Sequence, residues 1–119
     1  MTVSYLKGKI HRARVTDANL EYEGSITLGR NLLDASGFIP FERVEIYNVT
    51  NGERFATYVI EGSPGTVCIN GAAAWKARKG DVIIIASYCN LEKEEALRFK
   101  PTLVYVDEKN DVTAIKREM

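Results

Sequence analysis

Two strand-like runs, Val44–Val49 and Arg54–Ile60, flank the pair Asn51-Gly52. Asn-Gly between alternating segments is the strongest short hairpin signal, because both residues tolerate the positive φ that tight turns need. This commits the middle of the chain to sheet, and its neighbours follow suit. Tyr5–Val15 alternates basic with small or apolar residues and reads as a long strand, with Gly8 as a candidate bulge. Glu21–Leu28 reads as a second extended stretch interrupted at Gly24, and Asn31–Ser36 as a short helix stopped by Gly37. Ser63-Pro64-Gly65 is a turn, Thr66–Ile69 a strand, and Ala72–Ala77 a helical turn of small residues. Val82–Ser87 is an apolar strand expected to be buried on both faces. Glu92–Leu97 suggests a short helix, Leu103–Val106 a late strand and Asp107–Asp111 a polar turn, with a loosely held C-terminus. Short strands with turn signals about every eight to twelve residues predict a mainly β chain, a small barrel or sandwich with short helices.

The chain has 119 residues, enough for a single domain spanning 1–119, with no linker or internal repeat. Sixteen basic residues balance sixteen acidic ones, so no long-range field draws nucleic acid or anionic lipid. The N-terminus lacks the apolar stretch of a signal peptide, and the longest apolar run is too short to cross a bilayer. A soluble cytoplasmic protein with no nucleic-acid or membrane partner is expected. One histidine, His11, and two cysteines, Cys68 and Cys89, make neither a zinc site nor a disulfide scaffold. Chemistry is left to Tyr, Lys, Arg, Ser, Thr, carboxylates, backbone amides or an added cofactor.

Five further blocks accompany Tyr22-Glu23-Gly24-Ser25: Lys9-Ile10-His11, the run Tyr47 to Gly52, the run Arg54 to Tyr58, the run Asn70 to Ala74, and the run Gly80 to Ile85. Each is weak alone. In this order and spacing they resemble the bacterial aspartate 1-decarboxylase family over nearly the whole chain, to about Tyr105. The resemblance implies a double-psi β-barrel and a homotetramer with active sites between neighbouring subunits. Tyr47 stands where the family commonly carries tryptophan, which keeps an aromatic surface without the indole N–H.

The resemblance also implies a cofactor and a set of roles. Losing the carboxylate α to an amine leaves an electron pair that protein side chains cannot accept, so an electron sink is needed. In this family the sink is a covalent pyruvoyl group, here derived from Ser25, with no metal and no pyridoxal phosphate. Its ketone forms a Schiff base with the amine of L-aspartate, and the product is β-alanine for pantothenate and coenzyme A. Self-cleavage between Gly24 and Ser25 would yield a β chain, 1–24, and an α chain, 25–119. Glycine at position 24 suits the attack because it has no Cβ and tolerates strained backbone. Thr57 resembles the threonine that aids processing and borders the substrate site, and Tyr58 the proton donor. Adjacent residues of a strand point to opposite faces, so these two need different steps or different subunits. Lys9 and Arg54 resemble the anchors of the substrate carboxylates. Asn70, with Gly71, Ala72 and Ala73, resembles a substrate-contacting segment, and Tyr22 and Tyr47 are candidates to line the pocket.

Taken without the family, the same residues have plainer readings. Gly-Ser is a common turn, Thr57 and Tyr58 are ordinary strand residues, and Lys9 and Arg54 are solvated charges. Asn70–Ala73 would be simple helix initiation. His11 is a structural histidine that at most hydrogen-bonds near the cleavage site. Three other functions fit parts of the pattern: a pyruvoyl decarboxylase of another acidic amino acid such as glutamate, a non-catalytic barrel, and a hydrolase pairing Ser25 with His11. Whether maturation needs a helper protein is left open.

Overall fold

A computed structural model describes residues 1–118. The chain runs β1 (Thr2–Arg14), β2 (Asp17–Asn19), β3 (Ser25–Gly29), α1 (Arg30–Ser36), β4 (Arg43–Asn48), β5 (Arg54–Gly62), β6 (Val67–Asn70), a 3₁₀ turn (Gly71–Trp75), β7 (Val82–Glu92), α2 (Lys93–Ala96), β8 (Thr102–Val106) and β9 (Val112–Lys116). The strands are hydrogen-bonded in the order β2-β6-β3-β5-β4-β7-β1-β8-β9. Among the described residues no helix is long and apolar enough to cross a membrane.

This order closes on itself. β1 and β2 are consecutive, separated only by Val15 and Thr16, yet they stand at distant places in the sheet. At the junction Val15 bonds to both Asp81 and Gly80 beside β7, at 2.9 and 2.8 Å. The next residue, Thr16, donates its N–H to Val67 O on β6 at 2.7 Å. The ring is therefore β1/β2-β6-β3-β5-β4-β7, a small barrel with parallel contacts at β2·β6 and β3·β5. That mixed ring fits the double-psi barrel. β8 and β9 form an extra hairpin, with β8 parallel to β1.

Alternation dictates what fills the ring. Ile10, Ile26, Leu28, Val44, Ile46, Val59, Val67, Ile69, Ile83 and Ile85 all point inward and are fully buried. Each such side chain contributes about 1.5–3 kcal/mol relative to exposure. α1 adds Leu32 and Leu33 to this core. Asn110, 1% exposed, seals the seam beside β1. Its Oδ1 accepts Arg14 N–H at 2.8 Å, and its Nδ2 donates to Arg14 O and Gly65 O at 2.9 and 3.0 Å.

Several expectations are corrected. The hairpin joins β4 to β5 as expected, through residues 49–53. Asn48 closes it by bonding Glu53 O, and Asn48 Oδ1 accepts the Thr50 and Asn51 N–H groups. Gly52 alone takes positive φ, +79°. Residues 21–24 are turn and coil rather than strand. The bulge near Gly8 falls between Leu6 and Gly8. Val82–Ser87 is part of a longer strand, and Ile84 is only half-buried because it lies on the outer face. The C-terminal stretch, expected to be loose, contains β9, whose pairing with β8 extends the sheet; Met119 lies outside the described residues.

The loop before β4 is pinned by charge. Glu42 accepts hydrogen bonds from Lys7 Nζ at 2.6 Å, from Ser87 Oγ at 2.5 Å and from the Ile39 N–H at 3.1 Å. Burial pushes the Glu42 carboxyl upward, but these donors, Lys7 foremost, outweigh it and hold the pKa below its ordinary value. The stabilisation is therefore present above the ordinary carboxyl pKa and is lost as pH falls through the folded value.

Two outcomes follow. Asn110→Ala leaves three part-buried backbone groups, of Arg14 and Gly65, without their side-chain partner and should lower stability by about 1–3 kcal/mol, read by urea unfolding. Glu42→Gln should flatten the acid limb of a plot of Tm against pH, and an unchanged limb would remove Glu42 as its source.

Candidate active site

Ser25 opens β3 and is 1% exposed. Its neighbour Ile26 points into the core, so Ser25 and Thr27 face outward. β3 pairs with β6 so that Ser25 opposes Asn70 and Thr27 opposes Cys68. Asn70 Nδ2 donates to Ser25 Oγ at 3.0 Å and to Thr27 Oγ1 at 2.9 Å. Ser25 Oγ in turn donates to Glu23 O at 3.1 Å. Cys68 Sγ completes the cluster on Asn70 Oδ1 at 3.3 Å, its thiol pKa raised by burial and by the nearby Asp17 charge.

Asn70 occupies the N-cap position of the Gly71–Trp75 turn, where an asparagine usually caps its own helix. Here its side chain makes no cap bond and is turned to Ser25 instead. The turn at Gly71, Ala72 and Ala73 is thus left without a side-chain acceptor, with Ala72 exposed. Gly71 is the crowded glycine of the site. Its φ is +72°, and a Cβ there would lie 2.7 Å from both N and Cα of Gly24. Gly24, by contrast, is not in the left-handed region, and a Cβ on it would meet nothing within 4 Å. The packing requirement for glycine falls on Gly71, which lies under the segment Tyr22–Gly24. The Tyr22 ring is exposed.

The parallel register of β3 and β5 pairs Ile26 with Val59. The ladder starts at Ile26; continued backwards, its register would set Ser25 beside Tyr58 and Gly24, which lies in a bend, level with Thr57. Tyr58 opposes Arg43 on the outer face, with its ring stacked on Phe41 at 6.2 Å. Thr57 opposes buried Val44 and faces the barrel interior. Thr57 and Tyr58 do point to opposite faces, but on that register each would be level with one residue of the Gly24-Ser25 peptide.

Tyr47 and Arg54 form a separate outer-face pair, with Lys9 farther across the same sheet. Lys9 opposes Ala86 on β7, which opposes Glu45 on β4. Tyr47 opposes both Ile84 and Arg54. The Arg54 guanidinium lies over the Tyr47 ring at 4.7 Å, and Tyr47 Oη meets Tyr88 Oη at 2.8 Å. Burial, the Tyr88 hydrogen bond and nearby charge push the Tyr47 phenol up to about 12. By way of β7, β4 and β5, four strand spacings, about 19 Å, separate β1 from β3. Arg54 lies four residues, about 13 Å, along β5 from Tyr58. One chain therefore brings Ser25, Asn70 and Gly71 together, and Tyr47 and Arg54 together. Lys9 lies on β1, three strand spacings, about 14 Å, from β5, and among the described residues no hydrogen bond or ion pair joins it or Arg54 to Ser25.

His11 is on β1, its ring edge against Tyr105 at 5.4 Å and its buried Nδ1 without a partner. Burial, then the Lys9 and Arg12 charges, lower its pKa. Within one chain Ser25 Oγ is bonded to Glu23 and Asn70 and not to His11. Thr27, Cys68, the Glu23 carbonyl and Tyr88 were not anticipated. Only Thr27 carried a signal, two residues after Ser25 on the same strand face.

The sequence matches the family model described as aspartate decarboxylase over residues 1–113. It is 58% identical to the aspartate 1-decarboxylase of Hydrogenobaculum sp. (strain Y04AAS1) over 114 residues, covering 96% of this chain and 91% of that protein. It is 52% identical to the aspartate 1-decarboxylase of Bdellovibrio bacteriovorus over 118 residues, covering 99% and 95%. The aspartate 1-decarboxylase of Syntrophus aciditrophicus is 56% identical over 109 residues, covering 90% and 94%.

The two glycines separate in a simple experiment. Gly24→Ala should leave Tm nearly unchanged. Gly71→Ala should lower stability by at least about 1–2 kcal/mol, the penalty of a side chain in left-handed backbone alone, and should displace the Tyr22–Gly24 segment. Equal Tm values for the two variants would contradict the crowding at Gly71.

Proposed function

The chain belongs to the aspartate decarboxylase family, and from that premise we infer that the Ser25 cluster and the outer-face cations Lys9 and Arg54 are complementary halves of one active site, joined between neighbouring copies. The reaction is decarboxylation of L-aspartate to β-alanine and CO2, supplying pantothenate and coenzyme A; the enzyme is a pyruvoyl-dependent carboxy-lyase without metal or pyridoxal phosphate. The observation that carries the assignment of residues is the cradle around Ser25, where a buried hydroxyl sits between Asn70 Nδ2 and Glu23 O at the edge of an exposed turn.

Self-cleavage uses that hydroxyl. Ser25 Oγ attacks the Gly24 carbonyl carbon; a C–O bond forms, the Gly24–Ser25 C–N bond breaks, and the Ser25 nitrogen takes up a proton. Thr57, level with Gly24, is the group we assign to the oxyanion of this acyl shift. Loss of the Ser25 α-proton then expels the Gly24 carboxylate from Cβ. Water converts the resulting enamine to the ketone and releases ammonia. The products are chains 1–24 and 25–119, the second headed by the pyruvoyl group.

The site fits that group. Asn70 Nδ2 is a donor, and a carbonyl oxygen at position 25 can accept from it as the hydroxyl does. The pyruvoyl ketone supplies the electrophile that captures the substrate amine and the sink for the electron pair left by CO2. Everything else falls to side chains. Lys9 and Arg54 provide two positive charges for the two carboxylates of aspartate. Tyr58, on the same face as Ser25 and one strand away, returns a proton to the carbon that lost CO2. Ala72 and Ala73 offer backbone N–H groups, Tyr47 walls the anion side of the pocket, and Tyr22 closes the pocket from an adjoining copy.

The spacing of Lys9 and Arg54 from Ser25 along the sheet supports a homotetramer with inter-subunit sites. So do the exposed side chains of Trp75, Phe41, Ile39 and Leu97, which present apolar surface for burial. Cytoplasmic location is part of the same proposal.

Ser25→Ala should remain one uncut chain by intact mass and release no CO2; a cleaved, active Ser25→Ala protein would sink the mechanism. Tyr58→Phe should cleave normally and lose about 10²–10⁴ in kcat, the range for a positioned general acid. A normal kcat would remove Tyr58 as sole proton donor. Turnover of aspartate well above glutamate by the same sample checks the substrate, and light scattering checks the tetramer.

A further inference from the structure

Arg54 makes no ion pair or hydrogen bond among the described residues, although carboxylates lie close by. Glu53 is held by Lys76 at 3.6 Å, and Glu45 by Arg43 at 3.1 Å. The guanidinium rests only on the Tyr47 ring, so its N–H groups are left for an incoming anion. The placement of that ring decides where the charge is presented.

Tyr47 is the shared wall of two depressions. One, about 350 Å³, is lined by Arg54, Gly52 and Ile84 with Tyr47. The other, about 390 Å³, is lined by Ser4, Arg43, Glu45, Ala86 and Tyr88 with Tyr47. Register explains how a ring rooted opposite Ile84 reaches Tyr88, four residues farther along β7. It lies along the sheet over Ala86, whose methyl leaves room for it, and ends with its hydroxyl 2.8 Å from that of Tyr88. Nothing else among the described residues hydrogen-bonds the Tyr47 hydroxyl.

We propose that Tyr88 is a positioning residue for substrate binding: its hydroxyl fixes the Tyr47 ring, and the ring presents Arg54 to a carboxylate of the substrate. The proposal rests on Arg54 being a carboxylate anchor. Tyr88 itself touches no reacting atom, so its loss moves binding and leaves the chemical step alone. The Tyr47 phenol stays neutral throughout the working pH range, so the wall adds no negative charge against a dianion.

The test uses the processed full-length enzyme and measures kcat and KM for L-aspartate, with Ki for succinate, a dicarboxylate that lacks the amine. Tyr88→Phe should raise KM and Ki together by about fivefold, the effect of one neutral hydrogen bond, with kcat within about twofold. Tyr47→Phe removes the same pair from the other side and should match it. The double variant should be no worse than either single one, since both remove one contact. If Tyr88→Phe and Tyr47→Phe leave KM and Ki unchanged while Arg54→Ala raises both, Tyr88 has no positioning role and the Arg54 anchor stands. If Arg54→Ala itself changes neither, the anchor assignment fails and this proposal fails with it. A fall in kcat alone on Tyr88→Phe overturns it too. Should Tyr88→Phe not fold or process, Tyr47→Phe decides the same question.

Discussion

At Val15 and Thr16 the first strand leaves one side of the sheet and joins the other. The backbone there is bonded to Gly80 and Asp81 on the β7 side and to Val67 on β6. Thr16 Oγ1 adds two contacts at 3.0 Å, accepting Val67 N–H and donating to Val67 O. Without this seam the sheet is an open ribbon with exposed edges. With it, ten inward-facing aliphatic side chains share one dry interior, and every outward residue has a fixed place on a closed surface.

The site inherits its geometry from that closure. Because β6 is held by the seam, Asn70 arrives opposite Ser25, and because β5 is held by the β4 hairpin, its register carries Tyr58 toward Ser25. Gly71 then lets the chain turn tightly under Gly24, which no side chain would permit. A barrel wide enough only for its own core has no interior pocket to offer, so a substrate site has to lie on its outside.

Much of the fold was legible because strand signals are local. Alternation marked β1, β4 and β5, Gly37 marked the end of α1, and the Asn51-Gly52 pair marked the hairpin. The turn length was not legible, since it depends on the Asn48 side chain bonding the loop N–H groups. β9 was missed because Val112–Lys116 carries charge and a small residue where a buried strand has aliphatics, and it forms only by pairing with β8. In the site, the identities of Ser25, Asn70, Tyr58, Lys9 and Arg54 came from ordered blocks of residues. Their grouping in space did not, because it depends on register and on which side chains face outward.

Through the family resemblance the sequence implied that the chemistry needs an electron sink; by itself it determined that the chain is a small, mainly β domain and which residue types were available for chemistry. The last two conclusions follow from periodicity, composition and bonding capacity, which are properties of residues taken singly or with near neighbours. Tertiary structure decided that Gly71 takes left-handed backbone packed against Gly24, that Asn70 turns its side chain to Ser25, and that the Tyr47 and Tyr88 hydroxyls meet. Each of these depends on residues distant in the chain meeting across a hydrogen-bonded ladder, and only the register of the closed barrel sets those meetings.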